Sequence, residues 1–189
     1  MSEAPEITAS PEVLRSLAAF LGRVLLRELE SEQLDQLREG EVGAALLGLG
    51  VELPARFEQD DWLDERAAEY HELFLRPEPG PLVQSLWTQG RYEGDAAVRV
   101  RELAELADVE YQREAARGAA VDHLGSLLLL WSSTVDRSPA VADEIARAHL
   151  AWAGRPLQRI RAGGGFYGAI ASATLTLLPL IAAGAAGAS

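Results

Sequence analysis

The chain has 189 residues, 48% hydrophobic and 24% charged, which suits one folded domain with a sizeable core and argues against a disordered chain. Its 17 basic residues are all arginine and face 29 carboxylates, so a formal charge of −12 argues against a nucleic-acid partner and favours a cationic one. The absence of cysteine excludes disulfides, thiolate-bound zinc, iron–sulfur ligation and a cysteine nucleophile.

The first residues, "MSEAPEITASPEV", are acidic and lack the basic patch and apolar core of a secretory signal, so a cytoplasmic protein is expected. Ser10 as cap and Pro11 at the first helical position open a long amphipathic helix, with Val13, Leu14, Leu17, Ala18, Leu21, Val24, Leu25 and Leu29 as its stripe. Two shorter pieces follow, "SEQLDQLRE", opened by Ser31, and "GAALLGLG". In "DDWLDERAAEYHELFL", Trp62, Leu63, Ala67, Tyr70, Leu73 and Phe74 share one side and most carboxylates the other, which predicts a third strong helix.

"RPEPGPLVQSLW" interrupts the pattern, because Pro77, Pro79, Gly80 and Pro81 cannot continue a helix and require an extended run. Helical spacing resumes at Asp95 and passes through Val98, Val100, Leu103, Leu106 and Ala107 to a boundary at Gly118. Three more helices are predicted, at 121–134, 138–161 and 166–183, with Ser138 and Pro139 repeating the cap-then-proline signal. No segment shows β-alternation bounded by hairpin turns and no fixed-period repeat occurs, so the fold class is all-α. From Ala162 to Ser189 there is no charged residue; a buried final helix with a frayed small-residue tail is expected, with a membrane anchor as the alternative.

The inventory for chemistry is thin. His71, His123 and His149 have no metal-ligand spacing, so no metal site is expected. "HLGSLLL" is not a nucleophile elbow, and "RAGGGFYG" has neither lysine nor a preceding strand, so no catalytic residue, cofactor or phosphate loop is indicated. The carboxylates of "EQDDWLDE" and those at Glu69 and Glu72 read as a solvated face. What stands out is a binding surface, with Trp62, Tyr70, Phe74, Trp87 and Tyr92 on either side of the proline break.

Four stretches resemble the TorD/DmsD/NarJ group of cytoplasmic chaperones of molybdenum oxidoreductase maturation: "EYHELFLRPEPGPLVQSLW", "VDHLG", "RAHLAWAGRPLQRI" and "FYGAIASAT". Their order and spacing agree over nearly the whole chain; Ala119 and Ala120 stand where the family's hinge often carries Glu and Pro. The resemblance implies an all-helical protein with a larger part, 1–118, and a smaller part, 119–189, joined by a hinge at 118–122 within one compact unit. It also implies a non-enzymatic chaperone that binds the twin-arginine leader, the apoprotein, or both, of a molybdenum-cofactor oxidoreductase and holds it for cofactor insertion. The alternatives are an assembly factor for a leaderless, nitrate-reductase-like catalytic subunit and, further off, a small membrane-anchored helical protein. The expected partners are that client subunit and its leader, with membrane contact only through the export machinery, and the chain is a monomer or a domain-swapped dimer.

A leader of this kind presents two guanidinium groups and then an apolar stretch, so its receptor needs carboxylates beside an apolar groove. Tyr70, Leu73, Phe74 and Trp87 are the expected groove, Asp122 the expected anion and His123 its orienting partner. The competing reading makes Tyr70, Leu73 and Phe74 plain core, Trp87 a lid on the proline turn, His123 a structural hinge histidine and Asp122 the cap of the helix after it.

Overall fold

The computed structural model describes residues 10–52, 59–76, 80–111 and 118–187. Among them every extended element is helical, and the one β-type contact is an isolated antiparallel bridge between Val83 and His123. The centre is helix α1, Pro11–Leu26, started as its sequence dictates: the Ser10 hydroxyl accepts the Val13 N–H at 3.3 Å with Pro11 in the first turn. Leu17, Ala18, Leu21, Val24 and Leu25 are buried as their spacing requires, and Phe20 and Gly22 join them because α1 is covered on more than one side.

Helices α2 (Ser31–Glu39) and α3 (Glu41–Gly48) follow. Glu30, one residue earlier than expected, is the cap of α2, and the Gln33 side chain accepts the Glu30 N–H at 2.9 Å. Helix α4, Gln59–Phe74, turns Tyr70 and Phe74 inward and leaves Asp61, Asp64, Glu65 and Glu72 exposed. Of the proline-rich break, residues 77–79 lie outside the described residues, as do those between Glu110's neighbour Tyr111 and the expected boundary at Gly118.

A short helix not foreseen in the sequence, α5 at Gln84–Gln89, comes directly after Pro81. Helix α6, Asp95–Leu106, and helix α7, Leu124–Thr134, follow, with α7 starting three residues later than periodicity suggested because His123 takes the cap position. Helix α7 lies along α1 at close range. A Cβ on Gly22 would stand 2.8 Å from the carbonyl oxygen of Gly125, and a Cβ on Gly125 would collide with the carbonyl oxygen of Gly22, so neither position has room for a side chain.

The single helix expected over 138–161 is broken. Helix α8, Pro139–Glu144, passes into a π-helical turn at Ile145–His149 and a 3-10 turn at Ala151–Ala153 before helix α9, Gly154–Ala162. Pro156 explains the reset: it has no N–H to give the carbonyl of Trp152, and its ring would clash there in a continuous helix. Helix α10, Gly165–Gly187, runs past the expected end at Ala183. It is long and apolar enough to cross a membrane, yet Tyr167, Ile170, Ala171, Ala173, Thr174, Leu177 and Ile181 are buried in the bundle, and Pro179 sits on the solvent side. One continuous core joins residues from α1 through α10, on both sides of 118–122.

Candidate binding cleft

The Val83–His123 bridge brings the end of the proline-rich run against the Asp-His pair. The Leu124 N–H donates to the Leu82 carbonyl at 2.7 Å and the Gln84 N–H to the Asp122 carbonyl at 3.0 Å. Asp122 is fully buried, and its Oδ2 accepts the Ser85 N–H at 2.8 Å. Its carboxylate therefore caps α5, a helix 37 residues earlier, rather than the helix that follows it. His123 caps α7 instead, its Nδ1 accepting the Gly125 N–H at 3.1 Å.

Burial pushes the His123 imidazole down to about 4, and the neighbouring Asp122 only partly opposes that shift. The ring is neutral at physiological pH, and with Nδ1 accepting, its proton is on Nε2, the single donor it can offer. The π-helical turn holds α5 from the other side. Gln84 donates through Nε2 to the freed carbonyl of Ala148 at 3.2 Å and pairs through Oε1 with His149 Nδ1 at 2.9 Å. Burial also pushes the His149 imidazole below its ordinary value. So the first turn of α5, a helix only six residues long, is held from two sides by buried polar groups.

This frame supports a cleft of about 730 Å³. Its floor is Tyr70 and Phe74 of α4 with Leu26 at the end of α1, and one wall is the segment from Gly118 to Val121 with His123. Tyr111 and Val83 close it further. Two large apolar side chains stand at its mouth against the usual tendency, Leu75 at 58% and Tyr92 at 56% of full exposure. Four charges line it: Arg101 is paired with Glu93 and Arg27 lies 3.9 Å from Glu30, which leaves the Glu28 carboxylate without an ion-pair partner among the described residues.

The floor is rigid for a reason that lies in α10. Tyr70 stacks against Phe74 at 4.8 Å between ring centres, and both meet Tyr167 edge-on at 5.5 and 5.4 Å. Phe166 continues the series to Trp62. Glu69 fixes the start of α10 by accepting the Tyr167 N–H at 2.9 Å through Oε1 while Oε2 meets Arg66 at 3.0 Å. Burial and the nearby Tyr70 push the Tyr167 hydroxyl well above the ordinary phenol range, so it stays neutral.

Of the residues singled out in the sequence, Tyr70, Phe74 and His123 meet in this cleft. Tyr70 and Phe74 are also core, so the two readings of them are one. Leu73 is half-buried against the core, and Asp122 is buried with its carboxylate turned to α5. Trp87 sits on α5, its indole N–H donating to the Pro81 carbonyl at 2.9 Å and its ring under Arg159 at 5.2 Å, which makes it the lid of the proline turn. Glu28, Leu75 and the support from Tyr167 went unnoticed in the sequence. Only the tertiary fold brings α1's end to α4's end, although an acidic residue between the last two residues of the stripe, Leu25 and Leu29, was a signal that could have marked Glu28.

The fold is that of the redox enzyme maturation proteins. A crystal structure described as a redox enzyme maturation protein from Archaeoglobus fulgidus superposes with a TM-score of 0.63 over 94% of this chain and 99% of that one, at 17% identity. No curated protein matches the sequence. The profile of the nitrate reductase delta subunit family matches residues 8–154, and the chain belongs to that family, the NarJ/TorD-type maturation chaperones whose motifs the four stretches resemble.

Proposed function

We propose that this chaperone is a cytoplasmic, non-enzymatic protein that binds the twin-arginine leader of a molybdenum-cofactor oxidoreductase in the cleft floored by Tyr70 and Phe74. The observation that carries the reading is the combination at that cleft: exposed Leu75 and Tyr92 at the mouth, and the Glu28 carboxylate, which has no ion-pair partner among the described residues. The apolar stretch of the leader would pack on Leu75, Tyr92 and the aromatic floor, and a leader guanidinium would meet Glu28. His123 offers Nε2–H to the leader backbone. Asp122 acts as a positioning residue, holding α5 and the hinge so that the cleft keeps its shape, and Leu73 and Trp87 support the floor and the proline turn. The overall charge of −12 favours a cationic partner over long range.

Calorimetric titration with the leader of the oxidoreductase encoded beside this gene tests the reading. Replacing the two leader arginines with glutamine should weaken binding at least about tenfold, as should Glu28→Gln, because each removes a charge-assisted contact of about 1.4 kcal/mol or more. Equal binding by both peptides refutes the acidic contact.

The family profile favours a second reading, in which the client is a leaderless, nitrate-reductase-like catalytic subunit. No heat with the leader, together with co-purification of the folded subunit, supports that one. The division at 118–122 bears on assembly. Because α1 of the larger part packs on α7 of the smaller, a domain-swapped dimer would rebuild that same contact between copies, and size-exclusion chromatography separates it from a monomer.

A further inference from the structure

A second cavity, of about 480 Å³, opens between α1 and α7 and shares Leu26, Arg27, Tyr111 and Val121 with the first as a common wall. Ala19 and Arg23 line it from α1, and Ser126, Leu129 and Ser133 from α7. Each set falls at helical spacings of three or four residues, so both face one way, and the small side chains among them keep the space open. Its volume is in the range of small-ligand sites, about 300–1,000 Å³.

Arg23 is the anomaly in it. The side chain is half-buried and has no ion pair or hydrogen bond among the described residues, in contrast to Arg15, Arg66 and Arg99, each of which holds a carboxylate. Glu110, exposed at the same cavity, is not paired with it. Burial, with Arg27 four residues further on, pulls its pKa below the usual arginine value, as expected for a cation beside a like charge and away from water. In a chain of net charge −12 a half-desolvated cation without a counterion is a poor use of the residue unless the counterion comes from outside.

We propose that the α1–α7 cavity binds a small amphipathic anion, its headgroup on Arg23 and its apolar body along Leu26, Leu129 and Val121. The apolar wall and half-buried Arg23, which no carboxylate holds among the described residues while its neighbour Arg27 meets Glu30, match a molecule with one charged end. Ser126 and Ser133 already donate their hydroxyl hydrogens, to the carbonyls of Ala120 and Leu130, so the arginine is what selects the sign of the headgroup. The site adjoins the leader cleft through that common wall, but Arg23 lies outside the cleft, so Arg23→Gln tests this site without changing a cleft residue.

Calorimetry on the full chain with octanoate, octyl phosphate and octanol tests the assignment. Saturable binding of one anion per chain, at least about tenfold tighter than octanol, is expected, and Arg23→Gln should bring the anions to the level of octanol. Arg23→Lys should restore most of the difference, whereas Arg91→Gln on the outer surface should change nothing. Either order of the two anions supports the site and names its headgroup, carboxylate or phosphate. Octanol binding as tightly as the anions overturns the proposal on the wild-type chain alone, whatever the variants do, and so does unchanged anion binding by a folded Arg23→Gln.

Discussion

Asp122→Ala is the substitution that separates a structural from a ligand-binding carboxylate. It removes the acceptor of the Ser85 N–H, now 2.8 Å from Oδ2, and leaves that donor buried at the start of a helix with no side-chain cap of its own. An orphaned buried amide costs about 1–3 kcal/mol, and loss of an N-cap acceptor about 0.5–2 kcal/mol. For a chain of this length each kcal/mol lowers Tm by about 2–4 °C, so the melting point should drop by about 2–12 °C. Asp122→Asn keeps an acceptor oxygen and the side-chain shape, and should stay within about 1 kcal/mol of the wild type. Thermal melting followed by circular dichroism, with a urea titration to convert it to free energy, measures both. An Asp122→Ala protein that melts within about a degree of the wild type refutes the capping argument, as does an equal loss in both variants. If Asp122→Asn instead keeps its melting point and loses the leader, the carboxylate makes direct contact with the client.

Acid should destabilise the protein through His123. The unfolded imidazole takes its proton near 6.5 and the folded one only at about 4, so the unfolded state binds more protons in between; stability is held above the upper value and lost as pH falls through that window. Going from neutral pH to about pH 5 should cost about 2 kcal/mol in urea titrations, and His123→Asn, which can cap but not titrate, should flatten that slope. Phe74→Ala removes a buried ring in contact with Tyr70 and Tyr167 and should cost about 3–5 kcal/mol while also weakening the leader, so its affinity must be measured well below its melting point. Gly125→Ala forces a methyl group into the Gly22 carbonyl and should destabilise by about 1–3 kcal/mol or more, with α1 and α7 prised apart; an unchanged Tm would mean that the two helices are not in backbone contact.

The helices were legible because their causes are local. The stripe of α1, the Ser10–Pro11 start, the inward side of α4 and the all-α class depend on residues within a few turns of one another, and periodicity records them. The short α5 was invisible for the opposite reason: six residues carry too little pattern, and its start depends on a carboxylate 37 positions away. The reset between α8 and α9 hung on one proline inside an otherwise helical run. At the site, sequence alone could single out Tyr70, Phe74 and His123, since aromatic spacing and an Asp-His pair are visible in one dimension. It could not tell that Asp122 faces inward, that Glu28 lines the cleft, or that Arg23 lines a cavity with no carboxylate paired to it among the described residues. Those are properties of which surfaces meet, and surfaces meet only when burying the apolar stripes has fixed how the helices cross.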